Sequence, residues 1–235
     1  MSDSMKPVAL VTGANQGIGL ETVRRLAEAG YDVYLGARNA ERGRAAASKV
    51  GADFVLLDVT TDEQVQNTVD LIAREKGHLD VLVNNAVFGG AVREARDYTA
   101  DDFSAVLATN VVGYMRMIHA CLPLLDKSEN PRIVNVSSGL GSLGLLQELD
   151  KEEPLPGTLP YAASKSAINM LTARLAIMLP NMRINAADPG LTATNLSEGH
   201  GQSVTDGTDA IITFALSGPD GPTGTYAGRD GRLPW

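Results

Sequence analysis

The sequence predicts an α/β fold: one Rossmann-type, doubly wound parallel sheet of about seven strands with helices on both faces, in a single domain over residues 1–235. Three observations predict it. Short runs rich in Val, Leu and Ile recur along the chain without polar alternation, the pattern of strands buried on both faces. Longer stretches with apolar residues three and four apart lie between them. Gly, Asn, Asp or Pro stands at the boundaries.

The first run, Val8–Val11, leads through a glycine-rich turn into Ile18–Ala29, whose helical spacing turns Ile18, Val23, Leu26 and Ala27 inward. Gly30 behind it suits the left-handed residue that closes a helix. Val33–Leu35 and Phe54–Leu57 read as the second and third strands. Asp62–Lys76 repeats Val65, Val69, Ile72 and Ala73 at helical spacing and stops before Gly77. Leu79–Val83 is the fourth strand and Asp101–Leu125 a long helix; Ile133–Val136 is the fifth strand and Tyr161–Leu179 the next helix. Ile184–Ala187 and Gly224–Tyr226 complete the sheet. Residues 139–160 break the alternation with Gly, Pro and an acidic cluster from Glu148 to Glu153, and read as an insertion.

Composition narrows the function classes. With 28 acidic and 20 basic residues the net charge is -8, a surface that repels nucleic acid and anionic membranes. No apolar run approaches the roughly 20 residues of a membrane span. Met1 to Pro7 lacks the apolar core of a signal peptide. One cysteine, Cys121, forms no internal disulfide, so a reducing, cytoplasmic location is expected; beside Ala120 and Leu122 it reads as a core residue. His78, His119 and His200 show no metal-ligand spacing, and no metal is expected.

The chemistry starts at the first turn, Thr12-Gly13-Ala14-Asn15-Gln16-Gly17-Ile18-Gly19. Glycines there let backbone approach a pyrophosphate, and the following helix offers free N–H groups and the positive end of its dipole. A dinucleotide site also asks for a ribose-binding group past the second strand. NAD sites place an acid there; this chain has Ala37 and then Arg38. A cation without a carboxylate attracts a 2′-phosphate, which favours NADP(H) over NAD(H). The bland alternative for Arg38 is an ordinary exposed residue at a helix start. Further on, Tyr161-Ala162-Ala163-Ser164-Lys165 puts a phenol and an ammonium on one helix face, where the cation is expected to lower the phenol pKa. Ser138 follows the fifth strand, at the sheet edge where parallel strands meet ligands.

Together these residues resemble the short-chain dehydrogenase/reductase family, in the family's order and over essentially the whole chain, with a likeness to its carbonyl-reductase branch. The resemblance implies cofactor contacts at Gly13, Asn15, Gln16, Gly17, Ile18, Gly19, Arg38, Asp58, Val59, Asn85, Ala86, Tyr161, Lys165, Pro189, Gly190, Thr192 and Thr194. Asn84-Asn85-Ala86 matches the motif ending the fourth strand, although Val87 replaces the usual glycine, and Asp188-Pro189-Gly190 matches the segment at the nicotinamide end. It implies catalytic roles for Asn110, Ser138, Tyr161 and Lys165. The implied activity is hydride transfer between NADP(H) and a carbonyl or secondary alcohol: Tyr161 gives or takes the proton, Ser138 holds the carbonyl oxygen, Lys165 binds the nicotinamide ribose, and Asn110 holds a water. The rival reading is a non-catalytic dinucleotide sensor on the same fold, which has no need of all four side chains.

Ser138 and Tyr161 stand further apart than is usual in the family. The extra residues resemble the carbonyl-reductase insertion and imply a monomer, with Leu145, Leu146, Leu149 and Leu155 laid on the helices and the acidic residues facing water. The substrate pocket is expected after Ser138, at Val87 and Phe88, and from Leu191 to about Val204.

Overall fold

The computed structural model describes residues 6–146 and 159–235. Its strands are β1 (Val8–Val11), β2 (Asp32–Ala37), β3 (Asp53–Leu56), β4 (Val81–Asn84), β5 (Arg132–Val136), β6 (Arg183–Ala187), β7 (Tyr226–Gly228) and β8 (Gly231–Arg232). They form one eight-stranded sheet in the order β3-β2-β1-β4-β5-β6-β7-β8. Every pairing is parallel except the β7–β8 hairpin. The eighth strand is the addition to the expected seven, and β7 falls two residues later than the apolar run placed it.

The chain steps outward through β1, β2 and β3, then returns past β1 to build β4 onward. The order therefore reverses between β1 and β4, where a crevice opens at the carboxyl ends of the strands.

Side-chain alternation along the strands separates two cores. Ala9 and Val11 face one side, with Val23 and Leu26 of α1 (Gly17–Glu28), Ala46 and Ala47 of α2 (Ala40–Val50), and residues of a later helix, Asp209–Ala215. Val8 and Leu10 face the other, with Val65, Val69 and Ile72 of α3 (Asp62–Glu75) and Met117, Ile118 and Cys121 of a helix further on. Both faces of β1 are thus sealed, which is why its sequence shows no polar alternation. Burial pushes the Cys121 thiol up to about 12, in keeping with a core residue and not a nucleophile.

Three helices are missing from the sequence reading. In α2 only Gly43, Ala46 and Ala47 are buried, so its apolar stripe is made of the smallest side chains. The helix packs close enough that a Cβ on Gly43 would lie 2.2 Å from the Phe54 ring. Asn39 caps it by accepting from Arg42 N at 2.9 Å. The other two are a short turn at Val204–Gly207 and the helix Asp209–Ala215. β4 begins at Val81, since Leu79 N donates to Leu124 O rather than to a strand.

The expected long helix runs from Ala100 to Leu125 as α4 (Ala100–Leu107), a π-helical stretch at Ala108–Val112, and α5 (Gly113–Leu125). By length and composition alone this 26-residue helix could cross a membrane, at mean hydropathy 1.3, a test that a buried core helix also meets. Its apolar side chains Met117, Ile118, Cys121, Leu124 and Leu125 are buried against the sheet. Among the described residues the remaining α-helices are α6 (Leu159–Met178), α7 (Val204–Gly207) and α8 (Asp209–Ala215). Most of the expected insertion, with Leu149, Leu155 and the acidic cluster, lies outside the described residues.

Candidate active site

The loops after β1, β4, β5 and β6 meet at the sheet crevice. The glycine turn is built for close approach. Gly13 has φ +65°, and a Cβ there would lie 2.6 Å from Ala86 Cα; one on Gly19 would lie 2.8 Å from Ala14 Cα. Gly17 has φ +55° and faces Thr194. Thr12, absent from the candidate residues, holds the turn to the next loop. Its Oγ1 accepts from Asn85 N and Ala86 N, both at 3.0 Å. Asn85 Nδ2 donates back to Thr12 O at 2.9 Å and Gly13 O at 3.1 Å.

At the start of α1, Gln16 occupies the cap position without a side-chain cap, and the first turn carries no acid. The first N–H groups therefore face the crevice with the positive end of the helix dipole, which suits a pyrophosphate. Gln16 Oε1 instead accepts from Asn195 Nδ2 at 3.2 Å, linking the turn to the loop after β6. Asn15 and Ile18, on either side of Gly17, are half-buried.

Arg38 is exposed just past β2 and makes no hydrogen bond or ion pair with a described residue. Asp58 follows β3. Burial works against its charge, but hydrogen bonds from Thr60 N and Thr60 Oγ1 and the charges of Arg38 and Arg116 hold its carboxyl below the usual range. Val59 is buried against Gly113. These residues fit a dinucleotide: bare glycine backbone and an uncapped helix for the phosphates, with an exposed arginine just past β2.

Tyr161 and Lys165 lie one turn apart on α6, and Ser138 stands immediately beyond Val136-Ser137 at the end of β5. The Ser138 side chain stands beside the Tyr161 phenol. The Lys165 ammonium sits 5.4 Å from the Tyr161 ring centroid and donates to Val136 O at 2.8 Å. Burial pushes the phenol up to about 12, with Ser138 opposing and the Asp188 charge adding to the rise. Burial pulls Lys165 down to about 7 against the Asp188 charge. The net direction is therefore opposite to the expected lowering, because burial of the phenol outweighs the groups that favour its anion.

Asn110 lies in the π-helical stretch and is fully buried. Its Oδ1 accepts from Phe88 N at 2.8 Å, and its Nδ2 donates to Phe88 O at 3.1 Å and Ser164 Oγ at 2.9 Å. The side chain thus ties the loop after β4 to the helix carrying Tyr161, and does not touch Lys165. π-helical turns are frequent at functional sites, but no residue pattern marks one in advance.

Beyond β6, Gly190 has φ +60° and Pro189 is buried. Thr192 is buried and donates to Pro189 O at 2.7 Å, so its hydroxyl is occupied in shaping the loop. Thr194 N is bonded to Ser197 Oγ at 3.0 Å. Two groups absent from the candidate residues also stand here: Asp188, whose charge Tyr161 and Lys165 both feel, and Tyr226 on the neighbouring strand.

A family model described as short chain dehydrogenase matches residues 7–204. Short-chain dehydrogenase anuI of Penicillium roqueforti is 34% identical over 235 residues, covering 93% of this chain and 92% of that protein. The structure of NADPH-bound carbonyl reductase from chicken fatty liver superposes with a TM-score of 0.85 at 26% identity, over 98% of this chain and 99% of that one. NAD+-bound xylitol dehydrogenase gives a TM-score of 0.82 at 28% identity, over 96% and 98%. The glycine turn, the reversed strand order and these likenesses agree over nearly the whole length, and the chain belongs to the short-chain dehydrogenase/reductase family of oxidoreductases acting on carbonyl and alcohol groups.

Proposed function

We propose that the protein is an NADP(H)-dependent reductase of ketones or aldehydes, or dehydrogenase of the matching alcohols, with Tyr161 as the proton donor and acceptor. The observation that carries this reading is the gathering of Ser138, Tyr161 and Lys165 at the crevice edge, with the Lys165 ammonium 5.4 Å from the phenol ring. When bound, the nicotinamide supplies the hydride chemistry. The chain supplies position and proton. A phenol held up near 12 keeps its proton at neutral pH and is ready to give it to a developing alkoxide. Ser138, beside Tyr161 at the end of β5, would donate to the same carbonyl oxygen. Lys165 at about 7 changes charge near neutrality and would hold the cofactor ribose.

The test is NADPH consumption over a panel of ketones and aldehydes. Turnover with at least one class supports the reading, whereas tight NADPH binding with no turnover on any would favour a sensor. Ser138→Ala is expected to lower kcat by about 10²-fold, the worth of one preorganised donor, with NADPH affinity unchanged in a fluorescence titration.

Cofactor choice rests on Arg38. Ala37, where NAD enzymes carry an acid, is only 1% exposed within the core, so a carboxylate there would also damage packing. Arg38 is the cleaner site. Arg38→Ala is expected to raise the NADPH KM about tenfold, the loss of one charge-assisted contact, and to leave the NADH KM unchanged. Equal loss for both cofactors would show that Arg38 does not meet the 2′-phosphate.

A further inference from the structure

We propose that residues 233–235 form a positioning strap for Ser138: they tie the loop that follows it to the sheet and so hold its hydroxyl where the carbonyl oxygen is to bind. The inference rests on the role proposed above for Ser138.

Ser138 caps a 3₁₀ turn, Gly139–Gly141, with its Oγ accepting from Leu140 N at 3.3 Å. This turn is seated on α6. Gly141 O accepts from Ser166 Oγ at 2.9 Å and from Asn169 Nδ2 at 3.2 Å. The fit is close enough that a Cβ on Gly141 would lie 2.5 Å from the Lys165 carbonyl carbon. The turn therefore meets the helix one turn beyond Tyr161, and its seat sets where Ser138 stands relative to the phenol.

A second set of contacts ties the same loop to the strap. Strand β8 runs back along β7, and Leu233 N donates to Tyr226 O at 2.9 Å. Trp235 stacks on the Tyr226 ring, with centroids 5.6 Å apart and planes at 23°. Pro234 O accepts from Ser142 Oγ at 2.7 Å, and Trp235 O accepts from Gly144 N at 3.1 Å. A Cβ on Gly144 would lie 2.6 Å from Pro234 Cβ, so the two segments touch with no room for a side chain between them. Ser142 is buried, and its hydroxyl also accepts from Leu145 N at 3.1 Å. Leu145 folds back on the turn: a Cβ on Gly139 would lie 3.8 Å from its Cδ1. Contacts thus run from Tyr226 in the sheet, through the strap and Ser142, to the residue beside Ser138.

A donor to a developing alkoxide accelerates the reaction only when it is fixed before the charge appears. The loop cannot fix itself, since Gly139, Gly141 and Gly144 give its backbone wide freedom. Its place comes from its two anchors, α6 and the strap. Loosening the strap leaves the Ser138 hydroxyl present but less well placed, and small misplacements of reacting groups cost rate.

The test is a double-mutant cycle on kcat, with saturating NADPH and the best ketone of the panel. Trp235→Ala removes the stack on Tyr226, and Ser142→Ala removes the bridge between Pro234 O and Leu145 N. Each is expected to lower kcat about tenfold and to leave the NADPH dissociation constant within about twofold. The loss is smaller than that of Ser138→Ala because the hydroxyl is displaced and not removed. In the Ser138→Ala background neither change should cost more than about twofold further, since the strap acts through that hydroxyl. Trp235→Phe keeps a ring on Tyr226 and should restore most of the rate. Single variants that both stay within about twofold of the wild type overturn the proposal. So does an equal loss with and without the Ser138 hydroxyl, the mark of a strap that only supports the fold. If Trp235→Ala fails to fold, Ser142→Ala, which keeps the stack, carries the comparison; failure of both also overturns the proposal. The Ser138→Ala variant keeps the two readings apart. If it is down about 10²-fold while the strap variants are not, the strap proposal alone falls. If it turns over at the wild-type rate, the role of Ser138 falls and the strap's with it.

Discussion

Tyr161→Phe is expected to lower kcat by about 10³-fold or more while leaving the NADPH dissociation constant within about threefold. General acid catalysis contributes about 10²–10⁴-fold, and phenylalanine removes the hydroxyl while keeping the ring. The ring stays half-buried on α6, and its neighbours Ser138 and Lys165 keep other partners, Leu140 N and Val136 O. The fold is therefore expected to tolerate the change. Single-turnover NADPH oxidation together with a fluorescence titration reads both quantities. Near-normal kcat on a true substrate would show that another group carries the proton.

Lys165→Met is expected to move stability and activity in opposite directions. Lys165 is 2% exposed, and burial pulls it from 10.5 to about 7. Between those pH values the unfolded chain holds a proton that the folded chain has released, which opposes folding. The penalty is fully present at and below about pH 7 and vanishes above about 10.5, so Lys165 makes the wild type gain stability as pH rises through that window. At about 1.4 kcal/mol per pH unit the ceiling is about 5 kcal/mol. Methionine is of similar length and uncharged, but it forfeits the bond to Val136 O, worth about 1–3 kcal/mol, although Tyr114 Oη still donates to that carbonyl at 3.3 Å. The net expectation is a gain of at most about 2–4 kcal/mol at pH 7 that shrinks toward pH 10, with turnover down at least 10²-fold. Urea unfolding at the two pH values, beside a rate assay, checks it. A variant less stable than the wild type at pH 7 would mean that the lysine is not desolvated as the structure has it.

The readable parts of this protein were those encoded by neighbours in sequence. The β1–turn–α1 unit shows itself because strand, glycines and helix adjoin. Tyr161 and Lys165 are visible because a helix brings residues four apart onto one face. Helix α2 stayed hidden because glycine and alanines form its buried face, and apolar periodicity weighs large side chains. The π-helical stretch at Asn110 has no spacing signature. Asp188 was legible as part of a motif but not as a neighbour of Lys165, because β6 and α6 bring the two together only in the folded chain. For the same reason the burial that reversed the expected Tyr161 shift could not be read from the Tyr-x-x-x-Lys spacing, which shows proximity and says nothing of desolvation. Thr12 and Asn85 likewise join loops far apart in sequence, and only their hydrogen bonds reveal the suture.

The most direct test of the central claim follows the hydride. Wild-type protein is incubated with NADPH deuterated at the transferable position and the best ketone of the panel, and the product alcohol is analysed by mass spectrometry and proton NMR. The account predicts one deuterium on the former carbonyl carbon, and about 10³-fold less product from Tyr161→Phe over the same interval. Deuterium at any other carbon, or NADPH bound and retained without transfer, would contradict it.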